Sequence, residues 1–199
     1  MKKDTKAAFL VENGFCEREY IEMQDMFSKM NISSRIISSD AELLTAWNKL
    51  DMPSDSHWGL KYAVDYHIGD APGYNFDILV IPGGRRSAEK LRLDPSVKSF
   101  VSGFLDSGKP VIVYNLAHEV LFHLGLLGDY HISKYNPEID YNLDIMTAGA
   151  HDSDIVCSGN LISLSGFDHD ESLLAFYIES ILSGKITDPG SNPIENKAA

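Results

Sequence analysis

The chain has 199 residues, of which 44% are hydrophobic and 23% are charged, a composition typical of a folded globular protein rather than a disordered one. Its formal net charge is -12, so most of its surface would repel a nucleic-acid backbone or an anionic membrane. Composition and charge therefore exclude nucleic acid and membranes as expected partners.

Neither a secretory leader nor a membrane span is predicted. The apolar run after the first lysines covers only residues 7–11, which is shorter than the core of a signal peptide. No stretch approaches the roughly 20 apolar residues that cross a bilayer. The two cysteines, Cys16 and Cys157, are too few for a disulfide framework. These features predict a cytoplasmic protein.

The chain begins with an alternation of strand and helix patterns. The apolar run KAAFLV predicts a buried strand over residues 6–11, and SRIIS predicts a second strand over 34–38. Between them, apolar residues at spacings of three and four predict a helix over 17–30.

The next part of the chain is less regular. Residues 40–50 carry leucines and a tryptophan at helical spacing and predict a second helix that ends before Pro53. Glycines and prolines mark turns through 54–75, within which 60–67 is a strand or one arm of a hairpin.

The alternation resumes after residue 75. Further strands are predicted over residues 76–81, 111–114, 155–157 and 160–165. Further helices are predicted over residues 87–93, 95–107, 118–127 and 172–182. The segment 184–199 is rich in Gly, Pro and Asn and is expected to be a flexible tail.

This order of elements predicts one α/β domain over residues 1–199, with a core over about 6–182 and a mainly parallel sheet covered on both faces. Ligands of such sheets bind beyond the carboxyl ends of the strands, where the strand order reverses. Three strand-end turns are therefore candidate site segments: residues 12–19, 82–89 and 114–119.

The turn after the strand at 111–114 has the strand–corner–helix pattern of a nucleophile elbow, with Asn115 at the corner. Asn tolerates a positive φ better than most residues, so Asn115 could stand there for backbone reasons alone. Its amide can only donate and accept hydrogen bonds.

The other two turns each allow two interpretations. In PGGRR, Gly83 and Gly84 either form a flexible turn or direct their N–H groups towards a pocket, with Arg85, Arg86 and Glu89 nearby. Cys16 is either a small buried thiol or a reactive one. A helix N-terminus lowers a thiol pKa, whereas the flanking glutamates raise it.

Taken together, FLVENGFCEREY, FDILVIPGGRRSAEKLRLDPSV and SGKPVIVYNLAHEVLFHLGLL resemble the DJ-1/PfpI superfamily over nearly all of residues 6–182, and most of all its PfpI-type intracellular protease branch. The resemblance implies a flavodoxin-like, class I glutamine amidotransferase-like three-layer sandwich with a mainly parallel central sheet. It also implies a homo-oligomer, because family members form dimers or hexamers.

The resemblance assigns roles residue by residue. Glu19 matches the glutamate that hydrogen-bonds the family's reactive cysteine, and Glu89 matches the glutamate that reaches a neighbouring subunit's active site in the PfpI branch. The family's elbow, usually Ala-Ile-Cys-His-Gly-Pro, is here VYNLAH (113–118). Asn115 therefore replaces the cysteine, and Leu116 replaces the histidine, so the thiolate and its base are lost together.

Three further positions follow from the same resemblance. Tyr135 matches the tyrosine of the family's Ser-Tyr-Pro motif, and Ser165 stands at or near the place of its late arginine. His118, one turn beyond the corner, is a candidate replacement for the missing histidine. Cys16, His118 and Tyr135 join the glycine turn as candidate pocket-lining residues.

No metal site and no cofactor are predicted. His118 and His123 are five residues apart, whereas one helical face needs a spacing of three or four. The acidic cluster 168–171 is more simply a solvated loop in which Asp168 or Asp170 caps the last helix. The PGGRR turn lacks a phosphate-binding glycine pattern.

Three functions stay open at this point. The first is a non-catalytic family member that binds a small ligand or a partner, in a stress-related role. The second is a hydrolase or glyoxalase-type enzyme with relocated chemistry, using Cys16 with His118 or Glu19. The third is an oligomeric assembly module.

Overall fold

The computed structural model describes residues 4–39, 42–48, 58–133, 150–166, 169–186 and 194–195. The strands of this part are β1 (Lys6–Leu10), β2 (Ser33–Ser38), β3 (Leu43–Trp47), β4 (Trp58–Ala63), β5 (Tyr66–His67), β6 (Ile78–Ile81), β7 (Val111–Tyr114), β8 (Ile132–Ser133), β9 (Ala150–His151), β10 (Ile155–Ser158), β11 (Leu161–Leu164) and β12 (Ile194–Glu195). The α-helices are α1 (Glu17–Lys29), α2 (Arg85–Leu91), α3 (Pro95–Asp106), α4 (His118–His123) and α5 (Glu171–Leu182). Short 3-10 turns occupy Gly73–Asn75 and Asn115–Ala117.

The central sheet has the strand order β12-β10-β11-β7-β6-β1-β2-β5. Its neighbours pair in parallel, except that β10 is antiparallel to both β11 and β12. Every residue of β6 and β7 is buried, as expected for strands that are covered on both faces. The predicted mainly parallel α/β sheet is confirmed.

Successive side chains of β1 pack alternately into two separate hydrophobic cores, one on each face of the sheet. Ala8 and Leu10 pack in the core that contains α2, α3 and α4. Ala7 and Phe9 point the other way, into the core that contains α1 and α5. The two-residue period of a strand thus assigns alternate residues to opposite layers, and the predicted three-layer sandwich is confirmed.

The helix predicted over residues 40–50 is wrong. Residues 43–47 form strand β3, which pairs antiparallel with β4 in a separate two-stranded sheet. Leu44 and Ala46 are fully buried while Leu43 is half exposed, a two-residue period that the leucine spacing had concealed. Backbone bonds to the first strand-end turn hold β3 extended, from Trp47 N to the Phe15 carbonyl at 2.7 Å and from Gly14 N to the Thr45 carbonyl at 2.8 Å.

The fourth helix is shorter than predicted, because α4 ends at His123 instead of continuing to residue 127. Gly125 has φ 67°, and Leu126 N bonds to the Leu121 carbonyl at 2.8 Å. Gly125 N bonds to the Phe122 carbonyl at 3.0 Å, which completes a Schellman motif. Gly125, and not Gly128, therefore ends the helix.

The end of the chain also differs from its prediction. Within the tail that was expected to be flexible, Ile194–Glu195 pairs antiparallel with β10. The pairing covers backbone groups that β10 would otherwise present as a sheet edge. At the start of α5, Asp170 accepts hydrogen bonds from Ser172 N and Leu173 N, so it is a helix cap as predicted.

Candidate functional site

The three strand-end turns meet at one place, which we call the junction (residues 12–19, 82–89 and 114–119). They follow β1, β6 and β7, which are neighbours in the sheet. The chain runs outward from β1 to β2 on one side and from β6 to β7 on the other, so the strand order reverses between β1 and β6. There, Cys16 N donates to the Gly83 carbonyl at 2.8 Å. The junction thus lies where open α/β sheets bind their ligands.

Two glycines let the backbones approach closely at the junction. Gly83 N donates to Glu19 Oε2 at 2.6 Å, and a Cβ on Gly83 would lie 3.0 Å from the same oxygen. Gly84 has φ 107°, and a Cβ there would collide with the carbonyl oxygen of Gly14 and approach Cys16 N to 2.9 Å. The glycine pair is therefore required by the packing of the turns against one another.

The corner residue of the elbow has the backbone that was predicted for it. Asn115 has φ 41° and begins a 3-10 turn that leads directly into α4. Leu116 is almost fully buried beside it. The carbonyl oxygen of Tyr114 lies 3.3 Å from the Cβ position of Gly83, so the elbow directly adjoins the glycine turn.

Glu19 and Cys16 form a hydrogen-bonded pair, one turn apart at the start of α1. Burial raises the pKa of Glu19 to about 7, against the opposing effect of hydrogen bonds from Gly83 N and the Cys16 thiol. Burial, reinforced by the charge of Glu19, raises the pKa of the Cys16 thiol far above its ordinary value. At neutral pH the thiol is therefore protonated, and it donates to the carboxyl group.

The sequence suggested Glu19 or His118 as the partner of Cys16, and the structure pairs Cys16 with Glu19, three residues further along the chain. Cys16 is the residue that precedes α1, and Glu19 lies in the first turn of that helix, so the two side chains share one helical face. The family's cysteine–glutamate contact thus has a counterpart at the junction, with the sulfur supplied by a different turn.

His118, a candidate pocket residue, is fully buried. Its Nε2 lies 2.9 Å from Ser163 Oγ, and its ring also hydrogen-bonds the backbone of Val113. Ser163 Oγ in turn lies 2.7 Å from Ser133 Oγ. Burial lowers the pKa of His118 to about 3, so the imidazole is neutral. The structure thus places His118 in an interior polar chain and not on an open face of the junction.

The sequence model of the DJ-1/PfpI family matches residues 5–179 of the chain. The chain belongs to the DJ-1/PfpI family. The superfamily resemblance that the three motifs indicated is thereby confirmed.

Relatives and solved structures agree with this membership. A Bacillus subtilis (strain 168) protein named as a cysteine protease, YraA, is 33% identical over 107 residues, which are 53% of this chain and only 61% of that protein. Protein/nucleic acid deglycase 2 of Escherichia coli (strain K12) is 26% identical over 153 residues, or 76% of this chain and 82% of the relative. DJ-1 of Schizosaccharomyces pombe superposes with a TM-score of 0.67 at 18% identity, covering 90% of this chain and 91% of that one, which shows a shared fold.

The remaining family positions lie on or beyond helix α2. Arg85 and Glu89 are both exposed on this helix. Arg86, the third charged residue expected near the glycine turn, lies above the Trp58 ring at 4.8 Å and the Trp47 ring at 5.9 Å, so it contacts the β3–β4 hairpin across the junction. Tyr135 lies outside the described residues.

The described part of the chain contains neither a candidate metal centre nor a candidate membrane span. Within it, no three His, Cys, Asp or Glu side chains converge closely enough to hold a metal ion. Asp154 instead accepts a hydrogen bond from Ser165 Oγ at 3.0 Å. No helix among the described residues is long and apolar enough to cross a membrane.

Proposed function

We propose that this DJ-1/PfpI-family chain binds a small polar molecule at the junction without using a cysteine nucleophile. Relatives in the family are named as a cysteine protease and as deglycases, and such activities need a reactive group. Under this proposal, the chain keeps the place where family members bind their ligands but lacks the thiol chemistry that they carry out there.

The observation that carries the proposal is the state of Cys16. The chain has two cysteines, and the other, Cys157, is buried in β10 with its thiol towards the Gly159 carbonyl. Catalysis by a thiol requires the thiolate. Burial and the neighbouring Glu19 hold Cys16 protonated at neutral pH, and Asn115 at the elbow offers an amide, which is not a nucleophile.

Glu19 defines the kind of ligand we propose. With a pKa of about 7, its carboxyl group is present in both protonation states near neutral pH. It can therefore donate a hydrogen bond to a carbonyl oxygen or accept one from a hydroxyl group. Small carbonyl and hydroxyl compounds, the chemical class that deglycases handle, fit this combination.

The enzymatic test compares the wild type with Asn115→Cys in glyoxalase, deglycase and aminopeptidase assays. We expect the wild type to stay at background, and any gain to appear only when the thiol is restored at the corner. The Cys16→Ser variant controls for chemistry at the other turn. Clear wild-type turnover that disappears in Glu19→Ala would contradict the proposal.

The competing function is an enzyme that uses Cys16, which the hydrogen bond to Glu19 favours because it resembles the family's cysteine–glutamate contact. Iodoacetamide labelling of the Cys157→Ser protein from pH 6 to 9 separates the two functions. We expect Cys16 to react at least about tenfold more slowly at pH 8 than a thiol of ordinary pKa. Glu19→Gln should speed the reaction, because it removes a neighbouring negative charge. Labelling of Cys16 in the Cys157→Ser protein as fast as a free thiol would favour the enzyme.

We further propose that the chain is one cytoplasmic domain that forms a homo-oligomer. In support, the β3–β4 hairpin exposes Leu43, Trp58 and Leu60 by 44–67% of their surfaces, an unusual concentration of large apolar side chains. Light scattering at micromolar concentration should give a mass of at least two chains. A monomer under these conditions, with Leu60→Ser giving the same mass, would refute this part of the proposal.

A further inference from the structure

A pocket beside α1 is lined by neither Cys16 nor Glu19. It has a volume of about 110 Å³ and is formed by the middle of α1, the end of β7 and the start of α5. Its lining residues are Glu22, Met23, Met26, Tyr114, His169 and Glu171.

The hydroxyl group of Tyr114 is the first indication that this pocket takes a ligand. The Tyr114 side chain is fully buried, and its hydroxyl oxygen has no hydrogen-bond partner among the residues that the structure describes. Buried polar groups in folded proteins are almost always satisfied, so a hydroxyl group of this kind implies a partner within the pocket that it lines. Burial, with the charges of Glu19 and Glu22 adding to it, raises the pKa of Tyr114 well above its usual value, so the hydroxyl is neutral.

The other polar groups of the pocket are hydrogen-bond acceptors. Arg18 Nε donates to one oxygen of Glu22 at 2.7 Å, and Lys29 Nζ donates to one oxygen of Glu171 at 2.9 Å. Each carboxylate retains a second oxygen that can accept. His169 Nδ1 lies 3.2 Å from the Gly166 carbonyl, which can only accept, so the proton is on Nδ1 and Nε2 is an acceptor.

These groups therefore suit a ligand that donates several hydrogen bonds and carries positive charge. A bare metal ion is disfavoured, because no group of three carboxylate, imidazole or thiol ligands in the described part of the chain converges to metal-binding distance. The volume corresponds to about three or four water molecules, which is enough for an ammonium group with a short carbon stem. Met23 and Met26 supply apolar walls for that stem.

We propose that the pocket formed by Tyr114, Glu22, Glu171 and His169 binds a small primary ammonium cation. The ammonium group donates to the two carboxylates and to the phenol oxygen, and the stem lies against the methionines. The site shares Tyr114 with the junction but includes neither Cys16 nor Glu19, so it does not rest on the proposed function. The family's elbow usually has isoleucine where this chain has Tyr114, so the hydroxyl is a feature of this chain and not of the family pattern.

The test uses the full chain with ¹³C-methyl-labelled methionine, so that Met23 and Met26 report on the pocket in every variant. Methylammonium chloride is titrated against tetramethylammonium chloride, which has the same charge but no N–H donor. We expect saturable shifts with methylammonium, half-complete at millimolar concentration, since so small a ligand cannot bind much more tightly. Tetramethylammonium should give none.

Variants locate the binding. Tyr114→Phe keeps the ring and should weaken methylammonium binding about tenfold. Glu22→Gln and Glu171→Gln should weaken it to a similar degree, whereas Glu179→Gln, which removes an exposed carboxylate from the same α5 helix, should not. Glycinamide serves as a second probe. Its binding would indicate the amine end of a larger molecule, and binding of methylammonium alone would indicate a free amine.

Four outcomes would overturn the proposal. The first three are the absence of saturable shifts, an equal response to tetramethylammonium, and wild-type affinity in Tyr114→Phe together with both glutamine variants. The fourth is displacement of methylammonium by micromolar Zn²⁺ or Mn²⁺, which would show a metal site instead.

Discussion

Replacing Gly84 with alanine is expected to lower the free energy of unfolding by about 3 to 5 kcal/mol, from backbone strain and overpacking together. Gly84 has φ 107°, a backbone conformation that L-residues rarely adopt. A methyl group there would also meet the Gly14 carbonyl oxygen and the Phe15 Cα at 2.8 Å. These neighbours are backbone atoms and cannot rotate away, so the two turns of the junction would have to separate.

Thermal and urea unfolding of the variant measure this effect. For a chain of this size, the loss corresponds to a fall in melting temperature of about 10 °C. Gly103→Ala is the matched control, because Gly103 lies exposed in the middle of α3 and a Cβ there meets nothing within 4 Å. It should stabilise the protein by up to about 1 kcal/mol. If both variants had the same stability, the close approach of the two turns would not exist.

The parallel sheet and its three strand-end turns were predictable because they depend on local sequence signals. Runs such as FDILVI (residues 76–81) are apolar at consecutive positions, which identifies a strand covered on both faces. Asn115 was likewise predictable, since a positive φ at a strand-to-helix corner selects a small number of residue types.

The remaining features depend on contacts between distant segments, which no local pattern contains. Residues 43–47 have apolar spacing that suits a helix as well as a strand, and only pairing with β4 and with the first turn decides between them. His118 resembled a pocket residue because of its place after the corner. Its burial follows from packing against Ser163 on β11, 45 residues further along the chain.

The pKa of the Cys16 thiol could not be predicted from the neighbouring sequence either. Glutamates flanking Cys16 were recognised as an influence on its pKa, but the size of that influence depends on burial. The β3–β4 hairpin provides part of that burial by covering the first turn, where Tyr62 OH and Leu60 N both bond to Glu17 Oε1. A hairpin whose first strand was predicted as a helix thus helps to determine the protonation of the thiol.

Replacing Glu19 with glutamine is expected to change how stability depends on pH. The folded-state pKa of Glu19 is about 7, above its ordinary value of 4.5. Between these two pH values the folded protein holds a proton that the unfolded chain releases. The contribution of Glu19 to stability is therefore greatest below pH 4.5 and falls as the pH rises to 7, by about 3 kcal/mol in total.

The glutamine variant has no such proton to lose. Relative to the wild type, it should gain stability progressively from pH 4.5 to 7 and keep a constant difference above pH 7. Urea unfolding at intervals of half a pH unit measures the difference between the two proteins. Glu179→Gln controls for the loss of one exposed negative charge, and its difference from the wild type should stay nearly level.

The variant must be compared with the wild type at each pH, because His118 also makes stability depend on pH. Its effect changes in the opposite direction to that of Glu19 over much of the same pH range. Its folded-state pKa is about 3, below its ordinary value of 6.5. Between these two pH values, the unfolded chain therefore binds a proton at His118 that the folded protein does not bind. The contribution of His118 to stability is therefore lost as the pH falls from 6.5 towards 3. The wild-type profile sums both effects and can be almost flat, whereas subtracting it from that of Glu19→Gln leaves the Glu19 contribution alone. Parallel profiles for the two proteins would mean that Glu19 is charged throughout. The Cys16 thiol would then donate to a full carboxylate, and the family's carboxyl group would be unable to donate a hydrogen bond to a ligand.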